Sequence, residues 1–313
     1  MVHSAKNDLP TRPFGRHDER LTIIGVGGGH LSRPTLSQAE AVKIISAAVD
    51  AGVTFMDNAW DYGYGEGEIR MGKGIKGRRD DVFLMTKVCA RDCATALQQL
   101  DESLQRLDTD YVDLWQFHEL NYDNDPEWIF ESGGAIEAAI RAKEQGKVRY
   151  VGFTGHKSPH IFKPMLEMDF EWDSCQMPIN VFDYHFRSFE REILPELNRR
   201  NIACIGMKSL GGFSQFMDDA GLTAEECRRY ALSLPITTLA CGLLSMEDLE
   251  DNLRIARTFK PMSQSEQDEL RARVRREAGD GRHEWYKTTP YADHEYHRNA
   301  HGFPAHAETR KTD

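Results

Sequence analysis

Four ionisable side chains, Asp57, Tyr62, Lys87 and His118, carry the strongest chemical signal in the chain. Asp57 ends the apolar run Val53-Thr54-Phe55-Met56, Lys87 ends the run over 82–87, and His118 ends the run over 111–118. An acid, an ammonium and an imidazole closing three consecutive buried strands, with a phenol five residues past the first, put acid–base chemistry at one mouth of a sheet. Each residue alone has a plainer reading as a salt-bridge partner, a hydrogen-bonded core histidine or a packed tyrosine. Together they make a specific combination of acid, base, imidazole and phenol at one mouth, where a cation close to the phenol would make it more acidic. A free phenol has a pKa of about 10. An ammonium about 4 Å away, at an effective dielectric near 20, favours the phenolate by about 4 kcal/mol; desolvation of the phenolate takes part of this back.

The elements that must hold these groups follow from periodicity. Apolar runs without alternation occur at 23–26, 53–56, 82–87, 111–118, 148–154, 174–179, 202–208 and 237–241, each followed by a helical segment. Strands buried on both faces and separated by amphipathic helices form a parallel sheet covered by helices. Eight such units predict an α/β fold, a (β/α)8 TIM barrel. Gly25-x-Gly27-x-x-His30 lacks the third glycine of a dinucleotide fingerprint, which argues against an open doubly wound sheet. A hairpin is expected over 14–23, and a capping box Thr35–Gln38 is expected to open a helix with the stripe Ala41, Ile44, Ile45 and Ala48. The clearest later helices are predicted over 94–107, 135–145, 189–200, 224–232 and 246–258. We read residues 1–313 as one domain: a barrel over about 20–262, then a C-terminal helix and a lid-like tail over 263–313 with no periodicity beyond Gly279. Strand ends then expose Gly27, Gly28, Thr154, Gln176, Lys208, Ser209 and Gly242 beside the four.

Asp57-Asn58-Ala59-x-x-Tyr62-Gly63-x-x-Glu66, Thr86-Lys87 and Asp113-Leu114-x-x-x-His118 resemble the aldo-keto reductase superfamily, and the resemblance runs from about Arg20 to Asn252. It implies a (β/α)8 barrel that uses NADPH, or NADH as the alternative, to reduce a small-molecule aldehyde or ketone to an alcohol. By the same resemblance Tyr62 is the general acid, Lys87 and Asp57 tune it, and His118 orients the carbonyl. It further implies a cofactor site. Thr154 and Gly155 stand where the family has Ser-Asn at the nicotinamide carboxamide, beside Gln176. Met207 stands where an aromatic stacks, Lys208-Ser209-Leu210-Gly211-Gly212 forms a pyrophosphate loop, and Asn252 lies at the adenine. Many NADPH-using members carry Lys at the position of Gly242 and Arg at that of Asp248, so an acid here is expected to face the 2′ position and bring NADH level with NADPH. His30, Trp60, His118 and Trp285 are the expected substrate walls, Tyr286 is a further candidate, and Glu119 is expected to point elsewhere.

A net charge of −11 excludes a general nucleic-acid or anionic-membrane surface. The six scattered cysteines contain no Cys-x-x-Cys and read as reduced core thiols. Residues 1–17 contain no apolar signal core, and a cytoplasmic location is expected. Two other classes compete. A cofactor-binding sensor subunit would keep the four residues with little turnover. A metal-dependent hydrolase would use tail histidines His283, His294, His297, His301 and His306, but no strand ends in His-x-His and ligands on a tail are poorly held. No resident metal is expected, and nothing signals an oligomeric state.

Overall fold

The computed structural model describes residues 8–212, 216–288 and 295–302. Strands β1 (Thr11–Pro13) and β2 (Arg20–Thr22) pair antiparallel. Eight parallel strands then close a barrel: β3 (Ile24–Gly27), β4 (Phe55–Asp57), β5 (Phe83–Val88), β6 (Val112–Phe117), β7 (Val148–Thr154), β8 (Ser174–Pro178), β9 (Ala203–Met207) and β10 (Thr238–Gly242), with β10 returning to β3. The (β/α)8 expectation holds.

The two faces of the barrel strands explain why they read as unbroken apolar runs. Val26, Met56, Leu84, Val151 and Cys175 face outward to the helices. Phe55, Phe83, Met85, Leu114, Ile205 and Ala240 form a separate interior cluster. The hairpin closes that interior from the N-terminal end. Its strands begin earlier than the expected 14–23, because Phe14 is not a strand residue but a plug, fully buried with its ring 4.9 Å from Phe83 and 5.2 Å from Tyr150. A plugged bottom leaves the C-terminal mouth as the open end.

The helices are α1 (Gly28–Leu31), α2 (Gln38–Asp50), α3 (Glu66–Gly74), α4 (Cys93–Leu107), α5 (Asp125–Phe130), α6 (Ala135–Glu144), α7 (Pro159–Glu167), α8 (Phe189–Glu192), α9 (Leu194–Arg199), α10 (Phe216–Ala220), α11 (Ala224–Ser233), α12 (Met246–Arg257) and α13 (Gln264–Ala278). Two details correct the sequence reading. The capping box of α2 is Ser37–Glu40, not Thr35–Gln38: Ser37 Oγ accepts from the Glu40 N–H while the Glu40 carboxylate accepts from the Ser37 N–H. The carboxylate also complements the positive helix end, which Gln38 cannot do. The helix expected over 189–200 breaks at Ile193, because Pro195 has no N–H to continue α8. None of the described helices is long and apolar enough to cross a membrane.

The tail is docked by a buried charge cluster. Lys287 Nζ lies 2.6 Å from Asp183 and 2.8 Å from Glu284, and donates to the carbonyl of Phe186 at 2.7 Å. Burial and the Asp183 charge, outweighing Lys287, push Glu284 up from 4.5 to about 7. Between those values the folded chain keeps a proton that the unfolded chain has released, so stability falls as pH rises through the window and levels off above about 7. Glu284→Gln removes the surplus carboxylate. We expect it to flatten this slope and raise the urea midpoint above pH 7, with no gain below about pH 4.5; equal midpoint shifts at pH 4 and pH 8 would contradict the assignment. Beyond Lys287, where the sequence shows no periodicity, a further helix spans Glu295–His301.

Candidate active site

Parallel pairing of β3, β4, β5 and β6 brings three strand ends level: Gly27 pairs with Asp57, Asp57 with Met85, and Lys87 with Gln116. Lys87, Asp57 and His118 are 1, 4 and 4% exposed, so their charges act through little water. Lys87 Nζ spends its three N–H groups on the Asp57 carboxylate, the Asn58 carbonyl at 2.7 Å and the Tyr62 hydroxyl at 3.1 Å. The second Asp57 oxygen accepts from Gln176 Nε2 at 3.0 Å. Tyr62 meets the His118 ring edge-on, with centroids 5.6 Å apart. The four residues singled out by type and spacing therefore converge.

Tyr62 is held by its loop. It opens a 3₁₀ turn, Tyr62–Gly65, in which Gly63 has φ +59 and a Cβ would come within 2.8 Å of the Ser32 carbonyl. Asn58 Nδ2 donates to the Gly67 carbonyl at 2.8 Å, and Arg106 donates to the Trp60 carbonyl at 2.9 Å. Trp60 does not wall the cavity as expected. Its indole N–H donates to Glu102 on α4 at 2.7 Å, and the Arg106 guanidinium lies 5.6 Å from its ring. The residue that faces the site from this loop is Asp61, whose Oδ1 is 3.1 Å from His118 Nδ1.

Cys89 Sγ lies 3.7 Å from the same nitrogen, and Asp61, Cys89 and His118 form a group with metal-ligand spacing. Burial pushes the Cys89 thiol well above its usual range, with Asp61 adding to the effect, so the sulfur is a neutral thiol. Glu119 is a second correction. A left-handed backbone, φ +46, turns its carboxylate inward, where Oε1 meets His156 Nε2 at 2.8 Å and Oε2 lies 3.4 Å from His297 Nδ1. Burial works to raise this carboxyl, but the surrounding His156, His118 and His297 hold it well below the usual range. Of the described tail histidines, His283 lies near Asp219 and Glu277, while His297 faces Glu119 and stacks with the His301 ring at 6.3 Å. His294 and His306 lie outside the described residues.

A cavity of about 400 Å³ opens at this mouth. Asp57, Tyr62, Lys87 and His118 line it, together with Gly27, His30, Thr154, Met207, Lys208, Ser209, Leu210 and Gly242. Of the other expected cofactor residues, Gly28 and Gly155 serve close packing. A Cβ on Gly28 would meet the Asp57 carbonyl at 2.7 Å, and one on Gly155 the Leu120 carbonyl at 2.9 Å. Gln176 reaches the site through Asp57, while its Oε1 has no partner among the described residues. Trp285 is absent from the lining; its neighbour Tyr286 is fully buried and places its ring 5.1 Å from Lys208 Nζ.

The donor set fits a dinucleotide. Lys208 takes a left-handed backbone, φ +57, and Gly211 and Gly212 follow at φ +75 and +70, a tight loop closed by the Gly211 N–H on the Lys208 carbonyl at 2.8 Å and of the kind that can cradle an anion. Asn252 is 1% exposed and neither atom of its amide has a partner among the described residues, as expected of a group that waits for a base. One expectation shifts. Asp248 does not lie free for a ribose: its Oδ2 accepts from the Leu244 and Ser245 N–H groups at 2.7 and 3.1 Å, closing the capping box of α12. Gly242 has no room for a longer residue, since a Cβ would stand 2.4 Å from His30 Nδ1. Burial, then Arg33 and Lys208, lower His30 to about 4, so that wall is a neutral imidazole.

A model of the Aldo/keto reductase family matches residues 23–228. Aldo-keto reductase YhdN of Bacillus subtilis is 29% identical over 205 residues, 60% of this chain and 58% of that protein. Methylglyoxal reductase YeaE of Escherichia coli is 29% identical over 186 residues, 57% of this chain and 60% of that protein. The matches span about three fifths of these curated relatives' length. Among solved structures, aldo-keto reductase AKR11C1 from Bacillus halodurans, in its holo form, superposes with a TM-score of 0.73 at 22% identity, covering 85% of this chain and 96% of that one.

Proposed function

The chain belongs to the aldo/keto reductase family, and from that premise we propose that it is a nicotinamide-dependent oxidoreductase reducing an aldehyde or ketone to an alcohol, with Tyr62 as general acid. The carrying observation is the buried chain Asp57–Lys87–Tyr62, in which an ammonium paired to a carboxylate aims an N–H at the phenol from 3.1 Å. The bound cofactor, NADPH on our reading with NADH as the alternative, supplies the hydride. Met207, Lys208, Ser209, Gly242 and Asn252 would hold it, and Gln176 and Thr154 would meet its carboxamide.

The protein's part is the proton. Hydride arrival at the carbonyl carbon leaves negative charge on oxygen, and the Tyr62 O–H bond breaks as the new O–H bond forms. Lys87 stabilises the resulting phenolate, and Asp57, fixed by Gln176, keeps Lys87 in place. His118 is positioned to hydrogen-bond the same oxygen as charge develops. Asp248 Oδ2 is engaged by the α12 cap and not by a ribose, which supports NADPH ahead of NADH on our reading.

The test is cofactor oxidation followed at the nicotinamide absorbance across a panel of aldehydes and ketones that includes methylglyoxal. The reductase reading expects turnover of several small carbonyls. Tight dinucleotide binding with no turnover on the whole panel would replace it with the sensor reading.

A further inference from the structure

Arg228 is a buried cation with no carboxylate partner among the described residues. It projects from α11 into the lining of the cavity, with Cys241 and Gly242, and is 6% exposed. Four other buried cations each have a carboxylate: Lys87 has Asp57, Arg91 has Asp125 at 2.7 Å, Lys287 has Asp183 at 2.6 Å, and Arg70 has Glu66 at 3.4 Å. Arg229, next in the chain, turns outward to Glu266 at 2.9 Å. Arg228 makes no ion pair among the described residues, and its Nε has no hydrogen-bond partner there. Its polar neighbour is the Cys241 thiol, a weak acceptor that burial keeps protonated.

A guanidinium taken out of water without a counter-charge is costly, and the cost is met when an anion binds. The planar fork suits a phosphate, which it can grip with two parallel N–H groups. Lys208, also without a carboxylate partner among the described residues, lines the same cavity, and burial lowers its ammonium. The cavity thus carries two cations that make no ion pair among the described residues; the fields of Glu119 and Asp57 reach Lys208, while no acid is paired with Arg228. The positions where relatives carry cations, Gly242 and Asp248, hold none.

We propose that Arg228 is the phosphate-binding cation of this chain, reaching the dinucleotide from α11 instead of from the β10–α12 loop. The proposal rests on the chain binding a nicotinamide dinucleotide. The phosphate is either the pyrophosphate, shared by NADPH and NADH, or the 2′-phosphate of NADPH, and the two sources separate experimentally.

The experiment titrates wild type, Arg228→Met and Arg228→Lys with NADPH, NADH and inorganic pyrophosphate, reading Kd by fluorescence or calorimetry, and melts each ligand-free protein. A loss of at least tenfold in Kd for both dinucleotides places Arg228 at the pyrophosphate. A loss confined to NADPH places it at the 2′-phosphate. In either case Arg228→Lys recovers part of the affinity, and the ligand-free Met variant melts no lower than wild type because a buried charge has gone. Unchanged dinucleotide affinity, or a lower melting temperature with unchanged affinity, overturns the proposal and leaves the reductase reading intact. If wild type binds neither dinucleotide, the reductase reading fails. Pyrophosphate then decides Arg228 by itself: binding lost in Arg228→Met keeps an anion site, and binding kept in that variant removes it.

Discussion

Replacing Tyr62 by Phe is expected to lower kcat by about 10²- to 10⁴-fold, the range spanned by a positioned proton donor, while leaving the Kd for the dinucleotide unchanged. The change removes one oxygen from a ring that stays packed edge-on against His118. Lys87 loses one acceptor but keeps the Asp57 carboxylate and the Asn58 carbonyl, so its charge remains paired. Stability should therefore move little, within the range of a partly exposed polar deletion, about 0.5–1.5 kcal/mol. Stopped-flow reduction and thermal melting of the same preparation separate the outcomes. A variant that melts like wild type yet keeps more than a tenth of its turnover would sink the general-acid assignment and pass that role to His118 or a bound water.

What the sequence disclosed follows from how each residue is placed. Asp57, Lys87 and His118 were legible because a polar residue that closes an unbroken apolar run has one place to be, the end of a buried strand. The eight strands were legible for the same reason. Loop and helix residues gave no such constraint. Trp60 and Asp61 sit side by side in a turn, and only the backbone path decides that the indole goes to Glu102 and the carboxylate to His118. The inward turn of Glu119 leaves no mark in the sequence, because it depends on a left-handed φ that a glutamate adopts seldom. Asp248 carried a usable signal, since Ser245-x-x-Asp248 ahead of an apolar stripe has the spacing of a capping box. Arg228 carried a fainter one. It flanks the Cys227, Tyr230 and Ala231 stripe of α11, so helical periodicity alone puts it near the buried face.

Lys87→Met is expected to damage both the fold and the chemistry, and the two effects can be parted. Asp57 would remain 4% exposed with its charge facing Gln176 alone. Removing one member of a buried pair leaves the other uncompensated, at about 3–5 kcal/mol. Turnover should fall by at least about 10²-fold, because Tyr62 loses the cation that favours its anion. Pairing the change with Asp57→Asn separates the terms. The double variant buries no unpaired charge, so most of the lost stability should return. Its turnover should stay at the level of the single variant, since no ammonium faces the phenol. Chemical denaturation gives the first quantity and single-turnover reduction the second. Recovery of both would mean that Lys87 matters only through the fold. Recovery of neither would mean that the Asn58 carbonyl, left without its Lys87 donor, is the dominant cost. Recovery of stability alone is the result the geometry calls for, because the 3.1 Å contact to Tyr62 is the one bond of Lys87 that the double variant cannot make dispensable.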